Sequence, residues 1–137
     1  MARDFAQTEL LPGVIERDDA QHFPESLVRR MGELGLLGMM VSPEYGGGGM
    51  DTVSYVLAME ALSKIDASAS VIVSVNNSLV CWGIETFGTE AQKRKYLPAL
   101  TSGEYVGAFC LSEPEAGSDA TMQRTTAVDM GGYYLLN

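Results

Sequence analysis

The sequence predicts a mainly α-helical bundle that gives way to a few β-strands near residue 104. Three observations predict it. Apolar residues recur at helical spacing through the first hundred positions, several of these stretches begin at residues able to cap a helix, and after Gly103 short β-rich runs alternate with glycine. The expected division is a helical region over 1–103 and a β region over 104–137.

Taken in order, Phe5, Leu10, Leu11, Val14 and Ile15 fit one helix from residue 2 to about 20. Pro12 should kink it, since proline lacks an amide hydrogen and crowds the preceding turn. Phe23-Pro24 restarts the chain with proline at a first helical position, and Leu27, Val28, Met31 and Leu34 form a stripe ending at Gly35. Leu36 to Val41 is apolar and irregular, and Pro43-Glu44-Tyr45 runs into the loop Gly46 to Gly49.

Asp51 can cap a third helix with Val53, Val56, Leu57, Ala61 and Ile65 on its inner face. Asp66 can cap a fourth, from Ala67 to about Trp82, small or apolar nearly all round and so expected at the centre of the bundle. Ser68, Ser70, Ser74, Asn76, Asn77 and Ser78 interrupt it too often for a membrane span. Thr89-Glu90-Ala91-Gln92 has the spacing of a capping box and opens a fifth helix toward Gly103.

Tyr105 to Leu111 reads as a buried strand, Thr125 to Val128 as a second, and Tyr133 to Leu136 as a third behind a Gly131-Gly132 turn. Two or three strands have no core of their own. The expectation is therefore the start of a larger β domain, cut within its last strand, whose open edges favour dimers or swapped strands.

Composition narrows the function. Nine basic against eighteen acidic residues give a net charge of −9, the wrong sign for neutralising nucleic-acid phosphates. Main-chain amides can still hold a phosphorylated cofactor. With His22 the single histidine and Cys81 and Cys110 the only cysteines, histidine triads and cysteine- or histidine-based zinc sites lack ligands. Both cysteines fall in apolar stretches, as small hydrophobes in a reducing compartment do, and no secretory signal opens the chain; cytoplasm is expected. No lysine-serine pair follows Gly46 to Gly49, so that loop is a poor phosphate cradle.

The stretch that can carry chemistry is Phe109-Cys110-Leu111-Ser112-Glu113-Pro114-Glu115-Ala116-Gly117-Ser118-Asp119, an apolar run opening into a turn of small and hydroxyl residues. Ala116 and Gly117 let a ligand approach the backbone, and Ser112 and Ser118 can donate to its oxygens. On these residues alone, a polar turn between strands explains the stretch as well.

Together with Lys95-Tyr96-Leu97-Pro98 and Gly103-Glu104, however, Leu111 to Asp119 resembles the signature of acyl-CoA dehydrogenases, with matching spacing. Phe23-Pro24, Leu34-Gly35-Leu36-Leu37-Gly38, Pro43-Glu44-Tyr45-Gly46-Gly47 and Asn77-Ser78-Leu79 fall where that family has similar words, so the resemblance covers nearly the whole chain.

The resemblance implies the helical N-terminal domain of the family fold and the first strands of its incomplete middle β-barrel, without the helix that normally precedes Ala2-Arg3-Asp4-Phe5. It implies FAD as cofactor, contacted by Phe109, Cys110, Leu111, Ser112, Gly117 and Ser118. Ser118 would also touch the pantetheine arm of an acyl-CoA substrate, and Val71, Val75, Ser78 and Leu79 would line the acyl cavity. The run Val73 to Leu79 looks most like short-chain, butyryl-type members. The implied reaction is α,β-dehydrogenation of a short- or medium-chain acyl-CoA to trans-2-enoyl-CoA, with electrons passed to an electron-transfer flavoprotein. The subunits of the family form a tetramer. Its catalytic glutamate would lie beyond Asn137, so no catalytic residue is expected here and the isolated chain should be inactive. Two rivals remain: an oxidase of the same fold that uses oxygen, and a non-catalytic helical module.

Overall fold

The computed structural model describes residues Met1–Asn137. Seven helical segments precede one β-hairpin. They are α1 (Ala2–Phe5), which continues as a π-helical stretch Ala6–Leu10, then α2 (Val14–Asp19), α3 (Glu25–Glu33), α4 (Thr52–Ser63), α5 (Ala67–Ser74), α6 (Trp82–Phe87) and α7 (Glu90–Ser102). A π-helical stretch, Val75–Cys81, joins α5 to α6, so that one helix runs unbroken from Ala67 to Phe87.

The expected caps are in place. Asp51 accepts from the Ser54 amide at 2.7 Å, Asp66 from the Ala69 amide at 2.8 Å, and Thr89 and Gln92 form a reciprocal capping box. Each satisfies amides that the first turn leaves without an intrahelical partner. Gly35 and Gly103 end their helices in the left-handed conformation, at φ 74° and 78°.

Two apolar clusters make the core. Phe5, Leu10, Val28, Met31, Leu36, Leu37, Met39, Leu62 and Val73 join α1, α3, α4 and α5 through the short turn Leu36–Gly38. Val41, Tyr45, Cys81, Leu97 and Leu100 join α7 to the Pro43–Tyr45 turn and the long helix. Full burial of each such leucine is worth about 1.5–3 kcal/mol. Beside them, Arg17 bonds Asp66 at 3.0 Å, tying α2 to the start of α5. The glycine loop is structural: the amides of Gly46, Gly47, Gly48 and Gly49 donate to Pro43, Ser42, Gly38 and Val41 carbonyls, which leaves none for a phosphate. A side chain at Gly47 would run into the Val41 carbonyl.

Several expectations are corrected. The first helix is broken, not kinked, because Gly13 takes a left-handed φ of 73° that no helix interior accommodates. The inner face of α4 is Tyr55, Ala58, Met59 and Leu62, whereas Val53, Val56 and Leu57 are exposed; Val53 is 68% accessible and Leu62 0%. Both faces are apolar, so periodicity alone chose wrongly. The fourth helix ends at Phe87, one and a half turns after Trp82, and it is covered on one side only: Val71, Leu79 and Trp82 are exposed. By length and composition it could cross a membrane; its other side packs into the bundle and carries two buried asparagines.

The strand expected at Tyr105 to Leu111 does not form, since no neighbouring chain segment supplies a ladder, and Cys110 is exposed there instead of buried. Downstream, β1 (Ala127–Asp129) and β2 (Tyr134–Leu136) pair antiparallel with Val128 opposite Leu135. Gly131, at φ 89°, makes the expected turn.

Candidate functional site

The predicted site residues lie on the long helix and on the segment after α7, which meets that helix at Gly107. Val71 and Leu79 are exposed, and Val75 and Ser78 are half-buried on the same helix face. The Ser78 hydroxyl donates to the Ser74 carbonyl at 2.7 Å, so it is satisfied within its own helix. An apolar, uncovered stripe of this kind can line a cavity for an alkyl chain once another element covers it.

Tyr105 leaves α7 with its amide bonded to the Ala99 carbonyl, and the Gly107 amide reaches Asn76 Oδ1 at 3.4 Å. The next five amides, Ala108 to Ser112, donate to no acceptor in the chain. Phe109, Cys110, Leu111 and Ser112 are all exposed. The Leu111 carbonyl accepts from Gln123 Nε2 at 2.6 Å, which orients this stretch.

A tight turn follows. Glu113 and Ala116 exchange main-chain hydrogen bonds at 3.0 and 3.1 Å, and Ala116 is buried while Gly117 and Ser118 stand exposed. The Glu113 carboxylate accepts from the Arg124 amide at 2.6 Å and the Thr125 amide at 3.1 Å. These bonds, the Arg124 amide first, hold it below the usual carboxylate range. Glu115 pairs with the Arg124 side chain. Both carboxylates are thus engaged within the turn. Unpaired amides, two serine hydroxyls and a glycine with open space around it fit the polar edge of a planar, phosphate-bearing cofactor.

Asn76 and Asn77 are what sequence reasoning missed. They read as polar interruptions of an apolar helix, yet both are fully buried and hydrogen-bonded to carbonyls of Leu36, Leu37, Val73 and Leu100. Paired amides in an otherwise apolar helix were the available signal, because buried amides need partners.

Elsewhere, a groove of about 800 Å3 lies between α2 and the start of α5, lined by Val14, Ile15, Arg17, His22, Phe23 and Asp66 among others. It shares no residue with the 105–119 segment.

The family model for the acyl-CoA dehydrogenase N-terminal domain matches residues 1–104. An acyl-CoA dehydrogenase of Bacillus subtilis is 47% identical over the whole chain, which covers 36% of that protein. The solved butyryl-CoA dehydrogenase of Megasphaera elsdenii superposes with a TM-score of 0.90 at 42% identity, over 99% of this chain and 37% of its own. A glutaryl-CoA dehydrogenase of Mycobacterium smegmatis in complex with FADH2 gives 0.93 at 38% identity, over 99% and 35%. The chain thus spans about a third of the length of these proteins.

Proposed function

Because the chain belongs to the acyl-CoA dehydrogenase family, we propose that it is the portion of an FAD-dependent dehydrogenase that lines the acyl cavity and faces the flavin edge. The enzyme converts a short- or medium-chain acyl-CoA to trans-2-enoyl-CoA in the cytoplasm and passes electrons to a carrier flavoprotein. The observation that carries this reading is that five unpaired amides follow Gly107, whose own amide is bonded to Asn76 of the helix that bears the stripe Val71, Val75, Ser78 and Leu79. Similarity to a butyryl-CoA dehydrogenase supports a short acyl chain.

Phe109, Cys110, Leu111, Ser112, Gly117 and Ser118 would hold the cofactor, which supplies a hydride acceptor when bound. The main chain at Leu111 and Ser112 would donate to its polar edge, and Ser118 Oγ would bond pyrophosphate and pantetheine oxygens. The helix stripe desolvates the acyl chain and aligns it, which turns binding into orientation. Removal of the α-proton needs a carboxylate within hydrogen-bond reach. Glu113 and Glu115 are otherwise engaged, so the base comes from outside these residues. The subunits assemble as a homo-oligomer.

The test grafts residues 1–137 onto the remaining two-thirds of the Bacillus subtilis relative. A yellow protein that oxidises butyryl-CoA faster than octanoyl-CoA, with a ferrocenium acceptor, is expected. A colourless graft, or one that prefers the longer chain, overturns the reading. The chain alone, mixed with excess FAD and the same substrates, should show no turnover.

A further inference from the structure

The helix from Ala67 to Phe87 widens into π turns between Val75 and Cys81. Such insertions are rare and recur at functional sites. Here the wider turn carries two consecutive asparagines to the buried side, each no more than 2% exposed. Asn77 serves the helical core: its Nδ2 donates to the Leu36 and Val73 carbonyls at 2.8 and 2.9 Å, and its Oδ1 accepts from the Met39 amide at 2.7 Å. Asn76 reaches outward. Its Nδ2 donates to Leu37 at 2.8 Å and Leu100 at 3.1 Å, and its Oδ1 accepts from the Gly107 amide.

At the same point Val80, one turn along the helix, lies against the Gly107 Cα. A Cβ on Gly107 would sit 2.5 Å from Val80 Cγ1, closer than real carbon contacts allow. Gly107 is therefore held by a hydrogen bond from one side and by close packing from another. It is also the last amide with a partner before the five unpaired ones, Ala108 to Ser112.

We propose that Asn76, with Val80 and Gly107, is a latch that fixes the start of these five amides on the helix that also bears Val71, Val75, Ser78 and Leu79. It thereby sets the spacing between flavin edge and acyl chain. The flavin and the acyl chain rest on the function proposed above; the latch itself rests on the hydrogen bonds and packing of this chain. Asn76 is a positioning residue, because it is buried and acts through Gly107.

Amide exchange in the 137-residue chain tests the tie directly. Gly107 should exchange more slowly than Ala108, and Asn76→Leu should speed it about tenfold, as loss of one hydrogen bond predicts, while Met39 stays protected. Gly107→Ala should displace the segment without touching the asparagines, and adding Val80→Ala should restore it. In the grafted holoenzyme, Asn76→Leu and Gly107→Ala should each shift the flavin absorption band and lower kcat about tenfold with KM within about twofold, as misplacement predicts. Val80→Ala should rescue Gly107→Ala in both readouts. Exchange at Gly107 as fast as at Ala108 in the unaltered chain overturns the latch. So does a loss of activity that leaves the flavin band and Gly107 exchange unchanged, since that is a stability effect. A graft without flavin whose Gly107 exchange behaves as expected overturns the functional reading and the positioning role, and leaves the tie between Asn76 and Gly107 standing.

Discussion

Residues 1–104 and 105–137 are both rich in apolar side chains, yet of the 25 buried residues in the chain only Ala116 lies after Gly103. The difference is one of hydrogen-bond range. A helix satisfies its backbone locally and needs only to lay one face on a neighbour, so α1, α3 to α7 and the Leu36–Gly38 turn close two cores among themselves. A strand needs partners from elsewhere, and β1 and β2 find only each other; every residue of the hairpin is exposed. Apolar content therefore marks core in the first region. In the second it marks surface that calls for a covering layer, which is also where the proposed ligand contacts fall.

The sharpest way to break this comparison is to truncate one leucine in each region. Leu36→Ala should lower unfolding stability by about 2–5 kcal/mol, while Leu135→Ala should stay within roughly 0.5 kcal/mol. Urea unfolding followed by far-UV circular dichroism measures both, and equal losses would show that the hairpin has a core after all. Next in size is Asn77→Ala, which orphans the buried Met39 amide and Leu36 carbonyl and should cost about 1–3 kcal/mol in the same assay.

The two cysteines report the regions without a substitution in the core. Burial, and then Glu85, push the Cys81 thiol up to about 12, whereas Cys110 is exposed. Iodoacetamide at neutral pH should label Cys110 in the folded chain and Cys81 only after unfolding. A folded pKa above the unfolded one means that the contribution of Cys81 to stability is complete below an unfolded thiol pKa of about 8.5 and is lost as pH rises toward 12. Alkaline unfolding of Cys81→Ala should lack that component. The smallest effect is local to the second region. Glu113 is held below its unfolded value, so its capping contributes above about pH 4.3 and is lost as pH falls through the lower folded pKa. The Arg124 and Thr125 amide resonances should shift on that titration, and Glu113→Gln should abolish the shift.

Sequence by itself determined what depends on neighbours a few residues away. Asp51, Asp66 and Thr89 cap their helices as spacing requires, Gly35 and Gly103 end theirs, and Gly131-Gly132 turns a hairpin. Each is settled by hydrogen bonds or dihedrals within about four residues. The family was legible for a different reason: Leu111 to Asp119 and the words before it make a long, specific match that no single contact has to explain.

Tertiary structure decided the rest. Which face of α4 turns inward depends on where α1 and α5 lie, because Val53, Val56 and Leu57 are as apolar as the face that is buried. Tyr105 to Leu111 has the composition of a strand but no ladder partner, so it stays open, and that leaves the amides from Ala108 onward available. Asn76 and Asn77 bond groups 24 to 41 residues away as well as two within their own helix, and no local pattern distinguishes such a tie from a polar interruption. Burial is a property of what the rest of the chain brings alongside, and only the folded arrangement specifies it.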